Sequence, residues 1–383
     1  MMKKRSALRR QATLVLEDGS EFGGWSFGKA RSQAGEVVFT TGMAGYPQSL
    51  TDPSFRGQLL VSTYPLAGNY GAPVMPKTGE PYRDSQDIPL HFESPRIQAA
   101  GFVVCEACES PSHHTSGATL AEWLERSNIP GITGVDTRAL TERLRERGVM
   151  MGKIRVEGCQ DVTLDSGLIP NPVAEVSHRD VKTFRPGGPP GDGSLRIVLV
   201  DCGAKANIFR CLLQRKAEII RVPWDHDLDG LEYDGLFLSN GPGDPKVCGR
   251  TIAMVRRAFA IGKPVFGICL GNQLMALAAG GDTYKLTYGH RGQNQPCIEA
   301  GTRRCYITSQ NHGYAVRHET LPKDWEPWFF NANDGTIEGI RCREGPFSAV
   351  QFHPEGCPGP RDTEFLLDRF ITQVQAYKRE RPA

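Results

Sequence analysis

PVFGICLGNQLMA, residues 264–276, joins a short apolar strand to a helix at a cysteine. The pattern predicts a buried strand over 265–268 and a helix from Gly271 onward, where Leu and Ala dominate. Gly267 and Gly271 flank Cys269 and remove a Cβ at the points where the chain must bend sharply. This layout is typical of a nucleophile elbow, a tight turn that presents one reactive side chain above a sheet.

The start of the predicted helix has a chemical consequence for Cys269. Helix N-termini carry positive potential, which favours a thiolate over a thiol. The alternative interpretation is a buried cysteine that merely ends a core strand. Motifs elsewhere in the chain distinguish these two interpretations of Cys269.

Length and composition limit the possible functions. The chain has 383 residues, enough for two or three domains, and its 39% hydrophobic and 23% charged content is typical of a soluble globular protein. A net charge of +2, and the lack of an apolar run long enough for a membrane span, favour neither nucleic acid nor membrane as a partner. Eleven scattered cysteines without a secretory signal predict reduced thiols in a cytoplasmic protein. The basic N-terminal stretch, residues 1–10, is interpreted as a solvated arm rather than an organelle-targeting segment.

The chain divides into two predicted domains. Strands and amphipathic helices over 1–155 predict an N-terminal α/β domain. Residues 156–193 are less periodic and end in a glycine- and proline-rich stretch, which predicts a connecting segment and linker. Over 194–383, apolar strands alternate with helices, which predicts a doubly wound, mostly parallel sheet with helices on both faces. Ligands of such sheets bind beyond the carboxyl ends of the strands, where Cys269 lies.

A candidate base and its orienting group follow another strand. His353 ends the predicted strand over 347–352, on the same kind of rim as Cys269, and Glu355 lies two residues further on. In extended chain, residues two apart point to the same face, so the Glu355 carboxylate can reach the ring nitrogen turned away from the sulfur. The alternative is an ordinary surface His-Pro-Glu tripeptide. The combination with the cysteine elbow favours a Cys-His-Glu triad.

Two further stretches offer hydrogen-bond donors. The glycine turn at 240–243 can direct the Gly241 amide toward a bound ligand, and with the Leu270 amide it would make an oxyanion hole. Taken alone, this turn is more simply an ordinary glycine turn. Residues 311–314 offer amide and backbone donors, and His312 within them is interpreted as structural because no nucleophile is placed beside it.

These motifs carry a resemblance to a known family. GICLGNQ, HPE and NGPGDP resemble the triad glutamine amidotransferases, which take ammonia from glutamine and pass it to a synthetase. LSNGPGDP (238–245), SQNHGY (309–314), QFHPE (351–355) and GPRDTEFLLDRF (359–370) resemble the small chain, or glutaminase domain, of carbamoyl-phosphate synthetase. The N-terminal stretches LVLEDGSEFGGWSFG, GEVVFTTGMAGYPQSLTDPSFRGQLL and GVDTRALTERLRERG extend the resemblance to nearly the whole chain. PWDHD, NANDG and RGQNQPC are closer to the animal-like form, in which this region is usually fused to the synthetase.

The resemblance implies roles for individual residues. Cys269 would attack the glutamine side-chain amide, with His353 and Glu355 completing the triad. The positions where the family contacts glutamine are Ser54, Gly241, Gly243, Leu270, Gln273, Asn311, Gly313 and Tyr314. Because Ser54 belongs to the N-terminal half, the resemblance implies a glutamine cleft between the domains. Asn272 departs from the pattern, since many members carry His there, and a secondary polar contact is thereby put in question.

The predicted function is therefore that of the glutaminase component of a glutamine-dependent carbamoyl-phosphate synthetase. Its substrate would be L-glutamine, and its partner a synthetase large chain or fused synthetase domains. No Walker A sequence is present, and Cys105 and Cys108 form a lone CxxC, so we expect no cofactor or metal in this chain, with ATP and Mg²⁺ only on the synthetase. Two alternatives are an amidotransferase serving another synthase and a regulatory subunit with an idle triad; the N-terminal half argues against the first and the intact triad against the second.

Overall fold

The structure is a computed structural model and describes residues 10–187 and 195–380. The chain forms two compact units, Met1–Pro170 and Asn171–Ala383. Most of the predicted linker, residues 188–193, and most of the basic N-terminal stretch, residues 1–9, lie outside the described residues. Among those that are described, no helix is both long and apolar enough to cross a membrane.

The first unit is built on a closed barrel of seven strands. The described residues of this unit form nine strands, seven of them in the barrel: β1 (Gln11–Leu16), β2 (Glu21–Gly28), β3 (Gln33–Thr40), β4 (Leu59–Ser62), β5 (Leu66–Ala67), β6 (Gly101–Val103), β7 (Glu106–Ala107), β8 (Pro130–Thr133) and β9 (Met150–Val156). Around the barrel the order is β1-β2-β8-β6-β4-β3-β9, and β9 pairs with both β3 and β1 to close it. The short β5 and β7 form a separate parallel pair.

Between residues 10 and 170 three α-helices accompany the barrel: α1 (Tyr46–Thr51), α2 (Leu120–Arg126) and α3 (Thr137–Arg147). The Asp136 side chain caps α3, because it accepts a hydrogen bond from the Ala139 amide at 3.0 Å. Trp123 and Leu124 of α2 pack with strand residues such as Phe102 in one apolar core. The predicted α/β character of this half is confirmed, whereas closure into a barrel was not anticipated.

In the part of the second unit that the structure describes, the chain forms one ten-stranded sheet and five α-helices. The strands are β10 (Lys182–Phe184), β11 (Leu195–Asp201), β12 (Ala217–Pro223), β13 (Gly235–Leu238), β14 (Val265–Ile268), β15 (Thr283–Glu299), β16 (Cys305–Val316), β17 (Trp325–Asn331), β18 (Ile337–Cys342) and β19 (Phe347–Val350). The helices are α4 (Pro172–Val176), α5 (Ala206–Gln214), α6 (Gly249–Ile261), α7 (Leu270–Ala279) and α8 (Phe365–Glu380). The strand order is β10-β12-β11-β13-β14-β19-β18-β16-β15-β17.

Five central strands, β12-β11-β13-β14-β19, are parallel and form the doubly wound part of the sheet. Their side chains alternate between two cores. Leu236 and Leu238 share a core with residues of α6 and α7, whereas the Phe237 ring contacts Phe370 of α8. Helices therefore cover both faces, as the fold prediction required.

Antiparallel strands flank this parallel centre on both sides. On one side β18, β16, β15 and β17 extend the sheet, and β15 and β16 are long strands of 17 and 12 residues. On the other side β10 pairs with β12. The predicted connecting segment, 156–193, thus contains the boundary after Pro170, and its later part supplies α4 and β10 to the second unit.

Candidate active site

Cys269 lies at a sharp turn between β14 and α7. Its backbone has φ 55° and ψ −103°, a positive φ that side-chain-bearing residues rarely adopt. The Cys269 amide donates to the Val350 carbonyl of neighbouring β19 at 2.8 Å, which holds the turn against the sheet. Strained backbone of this kind clusters at functional sites, and a nucleophile elbow is one example.

The two glycines beside Cys269 are required by packing. A Cβ on Gly267 would lie 2.7 Å from the Gly271 carbonyl carbon, and a Cβ on Gly271 would lie 2.5 Å from the Leu238 oxygen. Both neighbours are backbone atoms that cannot rotate away. Because these two residues have no side chain, α7 can pack directly against the backbone of β13 and β14.

His353 and Glu355 follow β19 on the same rim of the sheet. His353 is held by its amide, which donates to the Ser309 carbonyl at 2.8 Å. Its Nδ1 lies 2.6 Å from Glu355 Oε1, and both side chains are buried. Because Nδ1 is bound to the carboxylate, Nε2 is the nitrogen available to Cys269, whose side chain interacts with His353. The predicted triad residues are thus brought to one place.

His353 and Glu355 each stabilise the charged form of the other. Burial, and to a smaller extent the charge of Lys205, lowers the pKa of His353, but the negative charge of Glu355 together with the hydrogen bonds to Cys269 and Glu355 outweighs them, so that the pKa rises to about 10. Burial raises the pKa of Glu355, but the charges of Lys205 and His353 lower it to about 2. At neutral pH the pair is an imidazolium beside a carboxylate. An imidazolium next to a cysteine favours the nucleophilic thiolate.

Sequence reasoning missed two residues that hold Glu355. Lys205 Nζ lies 3.0 Å from Glu355 Oε1 and donates to the Gly356 carbonyl at 2.7 Å, with the lysine side chain only 2% exposed. Asn207 Nδ2 donates to the Glu355 carbonyl. The sequence did contain a signal for a functional role of Lys205, because this residue follows the carboxyl end of β11, on the rim where ligands of such sheets bind.

The predicted oxyanion donors lie close together. Gly241 follows β13, and a Cβ added to it would lie 2.7 Å from the Leu270 side chain and 2.1 Å from the Cys202 oxygen. Gly243, two residues on, has φ +85°, a conformation that favours glycine. Leu270 is the first residue of α7. The backbone of this turn therefore runs beside the elbow, and the donor role of the two amides stays a prediction.

Residues 311–314 belong to β16, which runs alongside the elbow. Cys269 Sγ lies 3.6 Å from the Asn311 carbonyl oxygen, and Gln273 Nε2 donates to the Tyr314 carbonyl at 2.9 Å. Gly313 lies between them in the same strand. Asn311 thus lies beside the cysteine and Tyr314 beside Gln273 of the elbow helix, and the part of all four residues in glutamine binding stays a prediction.

Asn272, the departure from the family pattern, is fully buried in α7. Its Nδ2 donates to Gln351 Oε1 at 3.1 Å, and Gln273 Nε2 donates to the same oxygen at 3.2 Å. Sequence reasoning did not single out Gln351. Asn272 therefore has a defined polar contact in this chain, on the side of α7 that faces β19.

Ser54 belongs to the first unit, in a 3₁₀ turn over Pro53–Phe55. Its amide donates to Asp52 Oδ1 at 2.9 Å, and the residue is buried. Its predicted contact with glutamine stays a prediction.

The geometry around Cys269 can support nucleophilic attack on a carbonyl carbon. A cysteine on an elbow, a histidine oriented by a carboxylate, and adjacent backbone amides are the parts that acyl transfer needs. In agreement with this, residues 198–373 match the family described as glutamine amidotransferase class-I. Fold and site together place the second unit in that class.

The first unit narrows the assignment. Residues 14–154 match the family described as carbamoyl-phosphate synthase small chain, CPSase domain. The arginine-specific small chain of carbamoyl phosphate synthase from Saccharomyces cerevisiae is 45% identical over 380 residues, which cover 97% of this chain and 91% of that one. The arginine-specific small chain from Aspergillus fumigatus is 44% identical over 387 residues, which cover 100% of this chain and 84% of that one. The chain belongs to the family of carbamoyl-phosphate synthase small chains, as the sequence motifs predicted.

Other relatives are much longer. The multifunctional protein pyr-3 of Neurospora crassa is 47% identical over 388 residues, which cover 94% of this chain but only 21% of that protein. The chain therefore spans about a fifth of the length of this multifunctional relative.

Proposed function

We propose that this chain is the glutaminase component of a glutamine-dependent carbamoyl-phosphate synthase. It hydrolyses L-glutamine at Cys269 and passes the ammonia to a synthetase component, which forms carbamoyl phosphate. The observation that carries the proposal is the buried arrangement of Cys269 with His353 and Glu355, whose Nδ1–Oε1 distance is 2.6 Å. Membership of the small-chain family supports the synthetase as the destination of the ammonia.

The first half of the reaction releases ammonia. The Cys269 thiolate forms a bond to the side-chain amide carbon of glutamine, and the carbonyl oxygen becomes an oxyanion that accepts hydrogen bonds from the Gly241 and Leu270 amides. His353 gives its Nε2 proton to the amide nitrogen. The carbon–nitrogen bond breaks, ammonia leaves, and a γ-glutamyl thioester remains on the sulfur.

The second half regenerates the enzyme. Neutral His353 takes a proton from a water molecule, whose oxygen attacks the thioester carbon, and the carbon–sulfur bond breaks to release glutamate. The proton stays on His353, which again faces a thiolate. Glu355 remains ionised throughout and holds the ring in position, in line with its lowered pKa of about 2.

The partner is a separate synthetase chain or further domains of one longer polypeptide. The relatives include proteins named small chains and much longer proteins named multifunctional, so both arrangements have support. Glutamine hydrolysis at the triad needs no nucleotide and no metal ion, and we assign ATP and Mg²⁺ to the synthetase component. We place the protein in the cytoplasm.

The test uses Cys269→Ser in the chain assembled with its synthetase component. We expect glutamine-dependent carbamoyl phosphate formation to be lost, because a hydroxyl is a far weaker nucleophile in a site built for a thiolate. Synthesis from added ammonium chloride should stay close to the wild-type rate. Cys105→Ser, the same change at an exposed cysteine outside the triad, serves as the control. Wild-type glutaminase rates in Cys269→Ser would contradict the proposal.

A further inference from the structure

A second cluster of buried polar side chains lies outside the triad. His290 of β15, His312 of β16 and Glu338 of β18 bring one potential ligand atom each within 4.8 Å of one another. His290 Nδ1 lies 3.1 Å from Glu338 Oε1, and His312 Nε2 lies 3.4 Å from the same oxygen. All three residues are buried, Glu338 completely. The mechanism above uses none of these side chains.

The outward-facing nitrogens of both rings are already bound to acceptors. His290 Nε2 lies 2.8 Å from Asp334 Oδ2, and His312 Nδ1 lies 2.9 Å from the Tyr314 carbonyl oxygen. Carboxylates and carbonyls only accept hydrogen bonds, so these two nitrogens carry the N–H groups. The inward nitrogens of neutral rings are then lone pairs, and both face the Glu338 carboxylate. The donors that reach them are Asn331 Nδ2, 3.4 Å from His290 Nδ1, and Thr336 Oγ1, 3.4 Å from Glu338 Oε1, and both contacts are long for hydrogen bonds. Three acceptors therefore converge with only weak contacts from donors.

Protons alone do not satisfy this arrangement well. Protonating both inward nitrogens would place two imidazolium ions in a buried site. His312 Nε2 and Glu338 Oε2 are buried and have no hydrogen-bond partner among the described residues.

We propose that His290 Nδ1, His312 Nε2 and Glu338 bind one divalent cation of the zinc class. Two imidazoles and one carboxylate are a common ligand set for Zn²⁺. Bonds of about 2.0–2.1 Å in tetrahedral geometry separate ligand atoms by roughly 3.3 Å, close to the observed 3.1 and 3.4 Å. One divalent ion would balance the two carboxylates that contact His290, Glu338 and Asp334.

The surroundings of the cluster agree with a metal site. Histidine ligands of metals usually donate their other N–H to a carboxylate or a backbone carbonyl, as His290 does to Asp334 and His312 does to Tyr314. The ion would join three strands of the antiparallel extension beside the segment that contains Tyr314. Its role is structural, and the proposal departs from the sequence-based expectation of no metal in this chain.

The experiment measures metal binding by the full chain, independently of glutamine hydrolysis. The chelator-treated protein is titrated with ZnCl₂ by calorimetry and with CoCl₂ by visible absorption. We expect one equivalent to bind, with a tetrahedral cobalt spectrum that lacks a thiolate-to-cobalt charge-transfer band, because the eleven cysteines lie outside the proposed ligand set. Binding should tighten as pH rises, since the ligands must be deprotonated.

Three variants assign the binding to the cluster. Glu338→Gln removes an anionic ligand and should weaken Zn²⁺ binding by about 100-fold or more, and Asp334→Asn, which alters only the partner of His290, should weaken it roughly 10- to 100-fold. His178→Gln is the matched control, because His178 also binds a carboxylate, Asp201, at 2.6 Å but lies outside the cluster. It should bind Zn²⁺ like the wild type.

Three results would overturn the proposal and leave the cluster as a protonated hydrogen-bond network. They are no saturable binding by the wild type, a cobalt spectrum dominated by thiolate, and equal affinities in the wild type, Glu338→Gln and Asp334→Asn. If Glu338→Gln does not fold, Asp334→Asn decides the question, because the Asp334 side chain is 42% exposed and tolerates the change.

Discussion

Removing the charge of Glu355 should damage stability and activity separately. Glu355→Gln leaves the Lys205 ammonium buried beside a neutral amide, where the carboxylate had been 3.0 Å away. At that distance, with an effective dielectric constant of about 20, the attraction amounts to roughly 5 kcal/mol. Breaking a buried pair by removing one partner typically costs about 3–5 kcal/mol. We expect Glu355→Gln to lower the free energy of unfolding by that amount.

The double variant Lys205→Met/Glu355→Gln separates the two effects. It removes both charges together, so most of the lost stability should return, to within about 1 kcal/mol of the wild type. Activity should not return. The glutaminase kcat should stay on the order of 10³- to 10⁴-fold below the wild type, because His353 still lacks the carboxylate that orients it.

Urea denaturation followed by circular dichroism measures the stability, and glutamate release measures the activity. Lys29→Met is the control, because Lys29 pairs with Glu125 at 3.2 Å on the surface and should cost less than about 1 kcal/mol. If the double variant is no more stable than Glu355→Gln, the buried pair is not the source of the loss. If the double variant regains the wild-type kcat, the carboxylate does not act on His353.

The stability that the His353–Glu355 pair contributes should depend on pH in both directions. Folding lowers the Glu355 pKa from 4.5 to about 2, so the stability that Glu355 contributes is lost as the pH drops from 4.5 to 2. Folding raises the His353 pKa from 6.5 to about 10, so the stability that His353 contributes is lost as the pH climbs from 6.5 to 10. The difference in unfolding free energy between wild type and Glu355→Gln should therefore be largest between pH 4.5 and 6.5, and a difference that grows toward pH 10 would be inconsistent with these charges. Gly271→Ala should lower the free energy of unfolding by about 1–3 kcal/mol and reduce glutaminase activity, since its Cβ would lie 2.5 Å from a backbone oxygen. Gly249→Ala is the control, because its Cβ meets nothing within 4 Å and the change should be neutral in the same urea assay. Equal losses of stability in the two variants would refute the packing argument. Ser54→Ala should raise the KM for glutamine more than it lowers kcat, and an unchanged KM in steady-state glutaminase assays would remove Ser54 from the glutamine site.

The elbow was predictable because its signals are local. Strand, cysteine, flanking glycines and helix occupy consecutive positions, and the structure shows the backbone contacts that exclude a Cβ at Gly267 and Gly271. His353 and Glu355 were found in the same way, since two residues of spacing suffice to orient one on the other.

The contacts that sequence reasoning missed are distant along the chain. Lys205 meets Glu355 across the parallel sheet, and His290 meets Glu338 across antiparallel strands. Neither pair has a characteristic spacing, because the strand order that joins them depends on the packing of the whole unit. The same holds for the barrel of the first unit, whose closure depends on which strand pairs with β1.

The strand β9 that closes this barrel has a consequence for how the protein is made. β1 pairs with β9, so that Leu14 lies opposite Ile154, and the barrel cannot close on the ribosome until residues up to Val156 have emerged. Pairings of such high sequence separation form slowly, because the loop entropy must be overcome first. All seven barrel strands nevertheless precede Asn171, where the second unit begins. During synthesis the first unit can therefore complete its strand pairing before Cys269 has been added to the chain, and the nascent protein need not hold both units unfolded at once.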